Sequence, residues 1–163
     1  MSIGAPVVAA TALALLWSGA LMLFDVREQR LPDILTLPAA VCALGLCVVE
    51  PHALWGLVWP LSYLLLGGEI GGGDVKLAVP LGVAVAYCSR PFGMLGVLAA
   101  IALSGLITVA IGILTRRRAL AHGPAMLVAA WSVVVGAAVV GPCETMTACF
   151  DGPPRVNPMD RRL

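Results

Sequence analysis

Long apolar blocks, most of them near 20 residues and separated by short polar islands, dominate this sequence. About 20 apolar residues are what one helix needs to cross the hydrocarbon core of a bilayer. The composition agrees, because 60% of the 163 residues are hydrophobic and only 12% are charged, about half the charged share of a typical soluble domain. The sequence therefore predicts an all-α polytopic membrane protein in contact with the lipid bilayer. The net charge of +1 gives no indication of nucleic-acid binding.

Charges, prolines and glycines divide the apolar blocks into about six predicted transmembrane helices. The fourth block is short, so either the bilayer thins around it or residues 71–74 enter the membrane. The first block has no basic start and is longer than a signal h-region, which indicates a retained helix. Together the blocks form a membrane domain over residues 1–140, followed by a flexible polar tail over 141–163. The predicted spans are 4–24, 34–49, 53–68, 75–88, 92–114 and 123–140.

Five cysteines are present, without CxxC or Cys/His metal spacing, so we expect neither a metal site nor a cofactor. Cys143 and Cys149 lie in the polar tail. They can form a disulfide if the tail faces an oxidising compartment, and free thiols are the alternative.

Basic residues near the span ends predict the orientation of the helices. Six of them fall in loops on one face of the membrane, and one, Arg90, is close to spans on the other. Because short cytoplasmic loops are enriched in Lys and Arg, the first face is predicted to be cytoplasmic and both termini to lie outside. The six residues are Arg27, Arg30, Lys76, Arg116, Arg117 and Arg118.

Asp25 and Asp74 are the residues most indicative of function, since each lies at the end of an apolar block on the predicted cytoplasmic face. A carboxylate next to hydrocarbon is costly and marks a candidate functional site. Two close carboxyls share a proton, so that one activates water and the other polarises a peptide carbonyl. Alternatively, Asp25 caps the next segment or pairs with Arg27 or Arg30. Asp33 is a rival first aspartate, or a cap of the second helix.

The island Gly71-Gly72-Gly73-Asp74 suits a site that admits an extended peptide beside a catalytic acid, because glycine frees the backbone and permits close approach. A glycine-rich turn without function is the alternative. Lys76, two residues further on, either lowers the pKa of Asp74 or extends to the lipid headgroups.

Three motifs resemble those of the type IV prepilin peptidases. DVREQRLPD (residues 25–33), with Leu35-Thr36 after it, is similar to the family's first-aspartate motif. GGGDVKL (residues 71–77) is similar to its GxGD motif, and HGPA (residues 122–125) to the Gly-Pro element that opens its last helix. The resemblance covers about residues 1–140.

The resemblance implies a GxGD membrane aspartyl protease in a prokaryotic inner membrane. It would cleave the basic leader of a prepilin or pseudopilin precursor at the cytoplasmic face, with Asp25 and Asp74 as the catalytic pair. Gly71 and Gly73 would be the two glycines of GxGD, and Lys76 and Asp33 would support the substrate-binding loop. Nothing matches the cytoplasmic CxxC domain of the longer members, so methyltransferase activity is not expected. A small proton-coupled transporter and a non-catalytic membrane assembly protein are the rival interpretations.

Overall fold

The computed structural model describes residues 4–66, 71–90, 92–116 and 122–140, and all regular elements in these ranges are helices. The predicted all-α class is therefore confirmed. The predicted tail, with Cys143 and Cys149, lies outside the described residues, as do Arg117 and Arg118. The elements are α1 Gly4–Glu28, α2 Asp33–Val49, a 3-10 helix Pro51–Leu57, α3 Val58–Leu66, α4 Gly72–Cys88, α5 Gly93–Thr115 and α6 Gly123–Val140.

Two stretches in the described part are long and apolar enough to cross a membrane, Val7–Glu28 within α1 and Gly93–Thr115. Two further stretches, Asp33–Val49 and Gly123–Val139, are apolar but shorter. Length and composition thus identify two candidate crossings, which agrees with a membrane protein.

Helix α4 is the central element, and it contacts α2, the 3-10 helix, α3, α5 and α6. Its buried side chains point in several directions around the helix axis, as expected for a helix surrounded by neighbours. The main core forms where α4 meets Leu21 of α1, Trp59 and Tyr63 of α3, and Met126 of α6. The buried residues of α4 are Leu77, Ala78, Leu81, Gly82, Val83, Val85 and Ala86.

A contact between two glycines brings the 3-10 helix against α4. A Cβ built on Gly56 would collide with the backbone of Gly82 and Val83, and a Cβ on Gly82 would collide with the carbonyl of Gly56. Small residues that let two backbones approach this closely are typical of helix contacts in membranes. The third predicted span is thus built from a 3-10 helix followed by α3, rather than from one α-helix.

Helix α1 extends further than the sequence predicted, through Glu28 instead of ending at residue 24. Polar side chains alone do not end a helix, and no glycine or proline interrupts residues 25–28. Gln29 follows with a left-handed backbone (φ 51°), and Pro32 immediately precedes the first turn of α2 as its N-cap. Asp25 therefore lies on a helix rather than in a loop, which fixes the direction of its side chain.

Candidate active site

A cavity of about 460 Å³ opens at the end of the bundle where α1 ends and α2, α4 and α6 begin. It contains all six site residues predicted from the sequence, together with five others. Its lining is Asp25, Gln29, Arg30, Leu31, Asp33, Gly71, Gly72, Gly73, Asp74, Lys76 and His122. Residues that are nearly 50 positions apart in the chain, such as Asp25 and Asp74, thus line one space.

Asp25 lies on the buried face of α1, one to two turns beyond Ser18 and Leu21. These three residues are the buried ones described on α1, and Asp25 is only 6% exposed. Its Oδ2 atom has no hydrogen-bond partner among the described residues, and no ion pair there joins Asp25 to Arg27 or Arg30. The capping and ion-pairing alternatives for Asp25 are therefore wrong for this structure.

Asp25 also faces the start of α6. A Cβ built on Gly123 would lie 2.5 Å from Asp25 Oδ2 and 3.1 Å from its Cγ, so the carboxylate packs directly against the glycine. The free backbone N–H groups at the start of a helix favour a negative charge. This glycine therefore lets the positive end of α6 approach the carboxylate of Asp25.

Asp74 enters the cavity from the first turn of α4 and is partly buried. Burial, followed by the negative charge of Asp25, raises the pKa of Asp74 from 3.8 to about 6. The influence of Asp25 on this pKa indicates that the two carboxyls are close enough to affect each other's ionisation.

The glycine island adopts ordinary helical and extended backbone. Gly72 and Gly73 form the first turn of α4, Gly71 precedes it with φ −61°, and no described glycine has a positive φ. Residues 71–74 therefore form the start of α4 and not a glycine-rich turn. Gly73 does allow close approach by another residue, because a Cβ there would lie 3.3 Å from Leu31 Cβ.

Asp33 and Lys76 form an ion pair across the cavity mouth, with Lys76 Nζ 2.7 Å from Asp33 Oδ1. Asp33 is the first residue of α2, whose N-cap is Pro32, so it does not cap the helix as predicted. Lys76 pairs with Asp33 rather than with Asp74. Asp33 and Asp25 thus differ in their surroundings. Asp33 is exposed and neutralised by Lys76, whereas Asp25 is buried.

His122 is a cavity residue whose surroundings the sequence did not reveal. Its Nε2 lies 2.7 Å from the Tyr63 hydroxyl of α3, and its Nδ1 lies 2.7 Å from Thr108 Oγ1 of α5. Burial lowers the pKa of His122, although the charge of Asp25 opposes this shift. The signals in the sequence were its place in the HGPA motif and its position directly before the last apolar block.

No protein-family model, curated protein or solved structure matches this chain. Its function is therefore inferred from the cavity and the sequence motifs.

The cavity has the chemistry of a carboxylate pair. In the described ranges no three His, Cys, Asp or Glu side chains converge in a way that would hold a metal ion. Asp25 and Asp74 instead line this cavity without an ion-pair partner among the described residues, and burial removes both carboxyls from water. Two desolvated carboxyls in one cavity can differ in protonation near neutral pH, which is the condition for acid–base chemistry.

Proposed function

We propose that this protein is a membrane aspartyl endopeptidase that cleaves the basic leader of prepilin-like precursors at the cytoplasmic face. The observation that carries the proposal is the meeting of Asp25 and Asp74 in one cavity at the end of the bundle. The resemblance of residues 25–33, 71–77 and 122–125 to prepilin peptidase motifs supplies the reaction and the substrate class.

Six membrane crossings are part of the proposal. Large apolar side chains cover the outside of the helices, with Leu16, Leu65 and Leu114 each more than 70% exposed, whereas small and polar residues such as Ala78 and Ser104 are buried. An apolar exterior of this extent suits lipid as the surrounding solvent. The 3-10 helix and α3 together rise about 27 Å, and the 17 residues of α4 about 25 Å, both near the thickness of a hydrocarbon core.

The cavity is proposed to face the cytoplasm. Among the described residues, Arg27, Arg30, Lys76 and Arg116 lie at the end of the bundle that holds the cavity, whereas Arg90 follows α4 at the other end. Positive charges in short loops favour the cytoplasmic side. A leader that remains in the cytoplasm would then reach Asp25 and Asp74 directly.

The proposed mechanism uses one ionised and one protonated aspartate. Burial opposes ionisation of both carboxyls, but Asp25 lies against the N-terminus of α6, which stabilises its charge. The charge of Asp25 in turn adds to the effect of burial on the pKa of Asp74, so the proton is assigned to Asp74. Asp25 takes a proton from water while Asp74 donates a hydrogen bond to the scissile carbonyl. The resulting hydroxide attacks the carbonyl carbon, the C–N bond then breaks, and the proton on Asp25 passes to the leaving amine.

A proton-coupled transporter is less well supported. Transport sites are typically near the bilayer midplane, whereas Asp25 lies in the last turn of α1 and Asp74 in the first turn of α4. The cavity volume also lies in the range of sites that hold a segment of a substrate.

The test is cleavage of a prepilin-like substrate, with a basic leader ending in Gly, by the full chain in membranes. Asp25→Asn and Asp74→Asn should each lower the cleavage rate at least about 10³-fold, as expected for removal of an essential acid or base. Asp33→Asn is the matched control, since this exposed aspartate lines the same cavity but is paired with Lys76.

The proposal would be overturned if both buried-aspartate variants cleaved at the wild-type rate while accumulating normally in the membrane. Loss of cleavage in Asp33→Asn, with normal cleavage in Asp25→Asn, would instead make Asp33 the first catalytic aspartate.

A further inference from the structure

The hydrogen bonds around His122 determine which ring nitrogen carries the proton. Thr108 Oγ1 lies 2.9 Å from the backbone carbonyl of Ser104, which accepts and does not donate. A hydroxyl has one proton, so Thr108 donates it to Ser104 and must accept a hydrogen bond from His122. Nδ1 of His122, which lies 2.7 Å from Thr108 Oγ1, therefore carries a proton.

The other ring nitrogen is then an acceptor. In a neutral imidazole with a proton on Nδ1, Nε2 has a lone pair, and Tyr63 donates its hydroxyl proton to it over 2.7 Å. Tyr63 thus donates a hydrogen bond to His122, His122 donates one to Thr108, and Thr108 donates one to the carbonyl of Ser104. Because both ring nitrogens are occupied by protein groups, His122 has no free lone pair with which to take a proton from water.

This network ties the start of α6 to two other helices. Tyr63 belongs to α3 and Thr108 to α5, while the residue after His122 is Gly123, which packs against the carboxylate of Asp25. A change of 1 Å in the position of a catalytic group can lower a rate about 100-fold. The position of the first residue of α6, Gly123, therefore affects the position of the Asp25 carboxylate.

We propose that His122 is a positioning residue, which anchors the N-terminus of α6 through Tyr63 and Thr108 and so holds Gly123 against Asp25. Its catalytic consequence rests on the proposed peptidase activity, whereas the anchoring itself does not. The resemblance to the prepilin peptidases assigns no role to this histidine.

The activity test uses Thr108→Val, which keeps the shape of the side chain and removes the hydroxyl. We expect kcat on the prepilin-like substrate to fall about 10- to 100-fold with little change in KM, because the substrate contacts remain while Asp25 loses its position. Thr108→Ser should restore kcat because it keeps the hydroxyl. Thr115→Val is the matched control on α5, since among the described residues Thr115 Oγ1 bonds only its own helix, at Ile111 O over 2.7 Å.

A second measurement is independent of activity. In the ¹⁵N spectrum of the full chain labelled at histidine and held in nanodiscs at pH 7, His122 should be neutral with its proton on Nδ1. His52→Gln assigns the signals, because the chain has two histidines. In Thr108→Val the fixed proton position should be lost and signals of both tautomers should appear.

The proposal is overturned if wild-type His122 is an imidazolium or carries its proton on Nε2, or if Thr108→Val retains the wild-type kcat. If the wild-type chain cleaves no substrate, the peptidase proposal fails, and the ¹⁵N spectrum alone decides whether His122 anchors α6.

Discussion

The two ends of the helix bundle each carry an ion pair, but they differ in the other charged residues that they hold. At the far end from the cavity, Glu50 after α2 and Arg90 after α4 form an ion pair, and the Arg90 guanidinium lies 5.1 Å from the centre of the Tyr87 ring. At the cavity end, about 25 Å away along α4, Asp25 and Asp74 have no ion-pair partner among the described residues. The first arrangement connects the ends of α2 and α4. The second leaves two carboxyls without a neutralising charge among the described residues, as the proposed acid–base pair requires.

The comparison teaches that deeper burial, together with the lack of an ion-pair partner, distinguishes Asp25 from the charges at the far end. The side chains of Glu50 and Arg90 are 26% and 23% exposed, and the two charges neutralise each other. Asp25 is more deeply buried and keeps an oxygen without a partner. A buried group that lacks a partner costs free energy, so its presence indicates a use other than stability.

The sharpest way to break this comparison is to remove one charge from each end. Asp74→Asn should raise the melting temperature of the protein at pH 8 and abolish cleavage. The sign follows from the raised pKa of Asp74, because the fold loses stability as pH rises from the unfolded value of 3.8 to the folded value of about 6. The full loss is therefore present at pH 8, and Asp74→Asn removes it.

Arg90→Met should do the reverse. Loss of its partner leaves Glu50 half-buried and unneutralised, which should lower the free energy of unfolding by about 1–3 kcal/mol while cleavage persists below the melting temperature. Thermal denaturation in detergent, followed by circular dichroism, measures both variants. A loss of stability in Asp74→Asn, or a loss of cleavage in well-folded Arg90→Met, would contradict the division between the two ends.

A smaller effect is expected at the ion pair across the cavity mouth. Lys76 and Asp33 have side chains 41% and 58% exposed, and exposed ion pairs contribute about 0–1 kcal/mol. Lys76→Met should therefore change the melting temperature little and the cleavage rate only a few-fold. A complete loss of cleavage in this variant would show that Lys76 belongs to the catalytic pair rather than to the cavity mouth.

The helices were largely predictable from the sequence because apolar blocks and their polar breaks are local signals. The end of α1 was not, since Asp25, Arg27 and Glu28 were expected to end a helix that their backbone continues. The periodicity of Ser18, Leu21 and Asp25 was a usable signal, because residues spaced by three and four share a helix face.

The side-chain contacts that the sequence did not predict join residues far apart in the chain. Lys76 and Asp33 are 43 residues apart, and Tyr63 and His122 are 59 apart. Such partners depend on how helices pack around α4. Close approach at the glycine island was predicted, but its partner was not, because Leu31 lies 42 residues before Gly73 in the chain.

The central claim is that Asp25 and Asp74 share a proton, and infrared titration of the full chain in nanodiscs tests it directly. The C=O band of a protonated carboxyl should titrate near pH 6, the raised pKa of Asp74, and should be absent in Asp74→Asn. In Asp25→Asn the same band should titrate at lower pH, because the charge of Asp25 no longer opposes ionisation, while burial still keeps the pKa above 3.8. An Asp74 carboxyl that titrates near 3.8 in the wild type, or whose titration is unchanged in Asp25→Asn, would contradict the account.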